Sequence, residues 1–130
     1  MLTVPYYIGY NISKGVNRVT RTFIMTKEFD KNWKTMNLTD SDLKALQEEL
    51  ILNPTKGDLM QGTGGLRKLR IAFEGKGKSG SGRVCYVDFA VFDKIYLITA
   101  YPKNEKDNLS KAERNAIANM IAQLEKSLKG

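Results

Sequence analysis

Residues 66–83, LRKLRIAFEGKGKSGSGR, hold six basic side chains (Arg67, Lys68, Arg70, Lys76, Lys78 and Arg83) against one acid, Glu74. Seven of the chain's 11 glycines lie between Gly62 and Gly82. Glycine beside lysine and arginine lets backbone N–H groups and cationic side chains come close to phosphate oxygens. A mobile, lysine-rich tip that only keeps a protein soluble has the same composition. The arginines point further, because Lys68 and Arg70 share one face of a strand and Arg83 opens the next strand across the hairpin. Such residues can converge on one surface. The loop is not a nucleotide cradle: GKGKSGSGR lacks the G-x-x-x-x-G-K-[ST] spacing and no helix follows it.

The rest of the chain narrows the chemistry. It contains no histidine and a single cysteine, Cys85. Histidine bases, serine–histidine and cysteine–histidine dyads, internal disulfides and a thiolate metal cage are therefore all excluded. Asp88, Asp93 and Asp107 are scattered, so no spacing gathers carboxylates around a cation, and no cofactor is expected. Lysine, arginine, tyrosine and hydroxyls remain. Cys85, between valine and tyrosine in an apolar strand, reads as a buried thiol and not a nucleophile. A formal charge of +7 favours an anionic partner. No run approaches the ~18 apolar residues of a membrane span, and the first residues lack a signal peptide's pattern, so a cytoplasmic protein without membrane contact is expected.

These residues must be held by a frame, and 130 residues suffice for one domain with its own core. VTRTFIM (19–25) reads as a strand. Phe29, Trp33 and Met36 make one stripe of a helix, with Trp33 in the core. A second helix opens at Thr39 with Asp42 in capping-box spacing, buries Leu43, Leu46 and Leu50, and stops before Pro54. NPTKGDLMQGTGG is a loop. LRKLRIAF, RVCYVDFAVF and IYLITAY are three strands; in the first, Leu69, Ile71 and Phe73 oppose Lys68, Arg70 and Ala72. Ser110 and Glu113 cap a last helix whose apolar face is Ile117, Ile121, Leu124 and Leu128. The order is β-α-α-β-β-β-α, an α+β domain with a small antiparallel sheet, helices on one face and the other face open to a ligand. Residues 19–130 are assigned to this domain. Residues 1–18, with Tyr6, Tyr7 and Tyr10 among turn formers, are assigned to an extension or arm in preference to a peripheral hairpin.

NPTKGDLMQGTGGLRKLRIAFEGKGKSGSGRVCYV, followed by YLITAYPKNEKDNLSKAER, resembles the RelE/HigB-type toxins of bacterial type II toxin–antitoxin modules. The resemblance covers about residues 19–126 and rests on the combination of L-x-x-N-P-x-x-G-D, G-T-G-G-L-R-K-L-R, the GKGKSGSGR loop and K-N-E-K-x-x-L-S. It implies the RelE-like fold and an mRNA interferase, an endoribonuclease that enters the ribosomal A site, cuts the codon being translated and arrests translation. It also implies a cognate HigA-type antitoxin, with operator DNA bound only through the toxin–antitoxin complex. Lys68 and Arg70 fall where the family's strand lysines or arginines lie, and Arg83 where its hairpin arginine lies. Lys103 or Asn104 falls near a further family arginine. The family's late tyrosine has no match, and Tyr101 is the nearest substitute.

Metal-independent cleavage by the 2′-OH needs a base, a charge clamp and an acid. A lysine is a poor base at its ordinary pKa of about 10.4, but neighbouring cations disfavour its charged form. Lys68 is thus the expected base, Arg70 and Arg83 the clamp on the phosphorane, and Lys103 or Tyr101 the acid. Arg67, Lys76 and Lys78 are expected to hold RNA or ribosome. Two rivals remain: a ParE-like toxin that inhibits DNA gyrase by binding alone, and a non-catalytic RNA-binding protein that uses surface aromatics.

Overall fold

A computed structural model of the chain describes residues 6–14, 17–72, 81–106 and 108–130, with the backbone alone described for 6–14 and 17–20. The expected Phe73, Glu74, Lys76, Lys78 and Asp107 lie outside the described residues.

The helices arise where the capping chemistry predicts. In α1 (Lys27–Thr35), Thr26 is the N-cap and accepts from the Phe29 N–H. Phe29 and Trp33, one turn apart, stack at 5.3 Å and are buried. In α2 (Asp40–Leu52), Thr39 and Asp42 form a reciprocal capping box, and Leu43, Leu46, Leu50 and Ile51 face inward. The Trp33 indole N–H donates to the Thr39 carbonyl and ties the two helices together. α3 (Lys111–Lys129) opens with the Ser110–Glu113 capping box and buries Ile117 and Ile121.

Six strands form one sheet: β1 (Tyr6–Lys14), β2 (Asn17–Met25), β3 (Asp58–Leu59), β4 (Leu66–Ala72), β5 (Ser81–Phe89) and β6 (Lys94–Pro102). Their spatial order is β1-β2-β6-β5-β4-β3. Of the alternatives open for the start of the chain, the backbone of 6–14 takes the hairpin, paired with β2 from Tyr6↔Met25 to Lys14↔Asn17.

Two details correct the expected architecture. The sheet is mixed, not antiparallel, because β2 pairs in parallel with β6 over Thr22–Met25 and Lys94–Leu97. The connection between them is the long α1-α2-β3-β4-β5 excursion, which returns the chain to the same end of the sheet, as a crossover requires. The helices also lie on both faces. α1 and α2 cover Phe23, Met25, Leu69, Val84, Tyr86, Ile95 and Leu97. α3 packs on the other side against Leu66, Val87, Tyr96 and Ile98. Only the part of that second face beyond α3 is left open.

The register between β5 and β6 has one irregularity. Tyr86 pairs with Leu97 and Cys85 with Thr99, so Ile98 is an extra residue in β6. β5 and β6 are joined by a 3-10 turn, Ala90–Phe92, and by Asp93 at φ 55°. Across β6, Arg21 of β2 grips Asp88 of β5 through two nitrogen–oxygen contacts of 2.7 and 3.2 Å. That fork-on-fork pair is nearly buried and holds the middle of the sheet in register.

Candidate active site

Alternation along β4 sends Leu66, Lys68 and Arg70 to the α3 face and Arg67 and Leu69 to the other. On β5 the same face carries Val87, Cys85 and Arg83, and register sets them opposite Leu66, Lys68 and Arg70 respectively. On β6, Thr99 stands opposite Cys85 and Tyr101 opposite Arg83. One row across three strands is therefore Arg70, Arg83, Tyr101, with Lys68, Cys85, Thr99 as the row below. α3 covers the apolar end of this face; at the cationic end Arg70 is exposed and Lys68 half-buried, while Arg83, Cys85, Thr99 and Tyr101 are buried.

The members differ in how they are held. Arg70 is exposed, whereas Arg83 is only 2% exposed and donates from Nη1 to the Gly82 carbonyl. Burial with fixed partners pre-sets a guanidinium fork, and exposure lets its neighbour reach outward. Lys68 donates from Nζ to Asn108 Oδ1 at 2.5 Å. Tyr101 is buried and hydrogen-bonded with the Cys85 thiol, and the Lys106 ammonium lies 5.0 Å from the centre of its ring. Lys106 also donates to Glu113 at 2.6 Å, and that bond, with the Ser110 N–H, holds the Glu113 carboxyl below its usual range.

Burial pushes the Cys85 thiol up to about 11, although the bond with Tyr101 and the charges of Lys68 and Lys106 work the other way. At neutral pH it is a protonated, apolar filler within the second row, between Lys68 and Thr99, as its place in the strand predicts.

Other expected residues fall elsewhere. Arg67 lies on the opposite face, where Nη1 donates to the Gly57 and Thr55 carbonyls at 2.9 and 3.3 Å. Lys103 is exposed in the turn after β6, and its backbone N–H donates to the Ser81 carbonyl. Asn104 is exposed beside it and lines a cleft of about 840 Å³ between α1 and the end of β6. Asn32, Asn37, Thr99 and Tyr101 also line this cleft, together with Lys27, Lys31 and Lys106 and the carboxylates of Glu28, Glu105 and Glu113, so its walls mix amides and hydroxyls with charges of both signs.

The loop behind β4 sets that strand's position. The Tyr86 hydroxyl donates to the Pro54 carbonyl at 2.7 Å and accepts from the Gly57 N–H at 3.0 Å. A Cβ on Gly57 would stand 2.9 Å from the Tyr86 ring and 3.1 Å from the Lys68 carbonyl, so only glycine fits. In GTGG, Thr63 donates to the Met60 carbonyl and accepts from the Leu66 N–H, while Gly62, Gly64 and Gly65 take positive φ angles of 73°, 77° and 120°. These glycine motifs are thus the turn chemistry that launches β4. Asn108 and Lys106 escaped sequence reasoning because they sit in a connection with no period; their only signal was the K-N-E-K-x-x-L-S string that contains them.

The arrangement suits a phosphodiester: Arg70 is exposed and Lys68 half-buried, with the Arg83 guanidinium and Tyr101 buried alongside in the same register. No described helix is long and apolar enough to cross a membrane. Residues 20–129 match the family model described as the RelE toxin of the RelE / RelB toxin-antitoxin system. The match spans both helices of the hairpin, the strands β4–β6 that carry the cationic rows and nearly all of α3, so this chain belongs to the RelE toxin family and is a toxin of a toxin–antitoxin module, with an antitoxin as its partner.

Proposed function

We propose that the protein is a ribosome-dependent mRNA endonuclease that arrests translation in the cytoplasm and is restrained by a HigA-type antitoxin. The observation that carries this reading is the row Arg70, Arg83, Tyr101 with Lys68 beside it, at the end of the sheet face where the apolar cluster under α3 gives way to cations. The family match supports the toxin role. The first 18 residues are proposed as an addition to the toxin domain, since the match begins at residue 20 and β1 extends the sheet beyond β2.

In the proposed reaction Lys68 accepts the 2′-OH proton, and the 2′-oxygen attacks the adjacent phosphorus. Arg83, pre-set by burial, and Arg70, reaching from the surface, neutralise the phosphorane as charge builds on its oxygens. The phosphorus–5′-oxygen bond breaks, leaving a 2′,3′-cyclic phosphate and a 5′-hydroxyl. Tyr101 is the better placed proton donor to the leaving oxygen, because it stands opposite Arg83 whereas Lys103 lies in the turn beyond. Lys76 and Lys78 are assigned to the RNA or ribosome backbone, and the cleft beside Tyr101, with its lysines Lys27, Lys31 and Lys106, to nucleotides flanking the cut. Arg67, held from behind by loop carbonyls, braces β4 and is assigned no part in the reaction.

The test is a map of cellular mRNA 5′ ends after a brief pulse of induction. Wild type is expected to create ends inside translated codons, dependent on initiation. Arg70→Ala, which removes an exposed side chain and leaves the core intact, is expected to lower cleavage about 100-fold or more. Growth arrest with intact message would overturn the reading and direct attention to gyrase.

A further inference from the structure

The connection from β6 to α3 is anchored on both sides of one residue. Leu109 is 6% exposed and packs in the cluster that holds Cys85, Ile98 and Ile117. Immediately after it, the Ser110–Glu113 capping box fixes the first turn of α3. On the other side, Lys106 is bound to Glu113 and lies over Tyr101. Asn108 sits between these anchors and is itself exposed, with Oδ1 accepting from Lys68 Nζ, a residue 40 positions away on β4.

We propose that Asn108 is a positioning residue that holds the Lys68 ammonium over the cationic rows. This inference deepens the cleavage reading and rests on it for its functional consequence. A lysine carries four rotatable carbons, and fixing its nitrogen removes conformational freedom that would otherwise have to be lost during the reaction. The acceptor is an amide oxygen, which orients the ammonium without adding a negative charge. A carboxylate at the same place would favour the protonated form and oppose a role as base. The charged and titratable groups around Lys68 are Asp58, paired with it on the edge strand β3, Arg70 on its own strand, Arg83 and Cys85 on β5, Tyr101 on β6, Lys106 in the connection and Glu113 on α3. Among the described residues, Asn108 is the group hydrogen-bonded to its nitrogen.

The experiment uses the full chain and pairs side-chain NMR with cleavage on programmed ribosomes. In wild type the Lys68 ammonium hydrogens are expected to be protected from exchange, and Asn108→Ala should remove that protection. The same variant should lower the single-turnover cleavage rate about 10- to 100-fold at unchanged ribosome affinity. Asn108→Asp should keep the protection and move the acid limb of the rate profile to higher pH by about one unit or more. Protection unaltered in Asn108→Ala would overturn the contact. Protection lost with cleavage unchanged would overturn the positioning role. If wild type does not cleave at all, the endonuclease reading fails by itself, and the functional claim for Asn108 falls with it while the NMR still judges the contact.

Discussion

The two faces of the sheet are built to opposite ends. Against α1 and α2, one apolar cluster runs without interruption from Phe23 and Phe29 to Leu69 and Ala100, with the Trp33 indole bonded to the Thr39 carbonyl. Against α3, the apolar cluster stops at Cys85 and Tyr101, and beyond it the same strands present Lys68, Arg70 and Arg83. Like charges on neighbouring strands repel, and clustering them opposes folding. The sealed face can supply the stability that the open face gives up. The difference teaches that core packing and a concentrated positive charge are carried by alternate residues of the same strands.

The largest effect should separate these faces. Phe29→Ala removes a fully buried ring from the sealed side and should lower stability by about 3–5 kcal/mol, read by denaturant unfolding. Arg70→Ala on the open side should change stability by no more than about 0.5 kcal/mol while it suppresses cleavage. Equal losses of stability would erase the distinction.

Gly57→Ala tests the support behind β4 and should cost about 1–3 kcal/mol, because its Cβ meets the Tyr86 ring and the Lys68 carbonyl. Cleavage should fall with it if β4's backbone sets the position of Lys68.

The smallest effect is one of pH. A Cys85 thiol raised from 9.0 to about 11 keeps its proton in the folded chain where an unfolded chain has lost it. Between these values the folded state binds more protons, so this group's contribution to stability is full below pH 9 and falls as pH rises towards 11. Alkylation of the native thiol should accordingly keep rising with pH to about 11, not level off near 9.

How much of this was legible follows from the range of each interaction. The helices were readable because Thr39 with Asp42 and Ser110 with Glu113 are local signals. Lys68, Arg70 and Arg83 were readable as one surface because a hairpin fixes the register between β4 and β5. The parallel pairing of β2 with β6 was not, since it joins Thr22 to Lys94 and no local pattern announces such a partner. Nor was the second helical face, because an apolar stripe on α3 does not say which side of a sheet it will cover. Arg67 was grouped with the cations for its charge, although alternation with Lys68 already set it on the other side.

The extra residue at Ile98 divides β6 into two halves of opposite phase. Counted by twos from Leu97, Tyr101 belongs with the residues that face the helical hairpin. The bulge turns it over and delivers it to Arg83. Were β6 to run smoothly at the same length, Ala100 would take the place opposite Arg83 and Tyr101 would turn towards α1, with every pairing from Lys94 to Leu97 undisturbed. The tyrosine is thus aimed by a spacer one residue long. That spacer makes the end of β6 a separable module, re-aimable without altering the half that holds the sheet together.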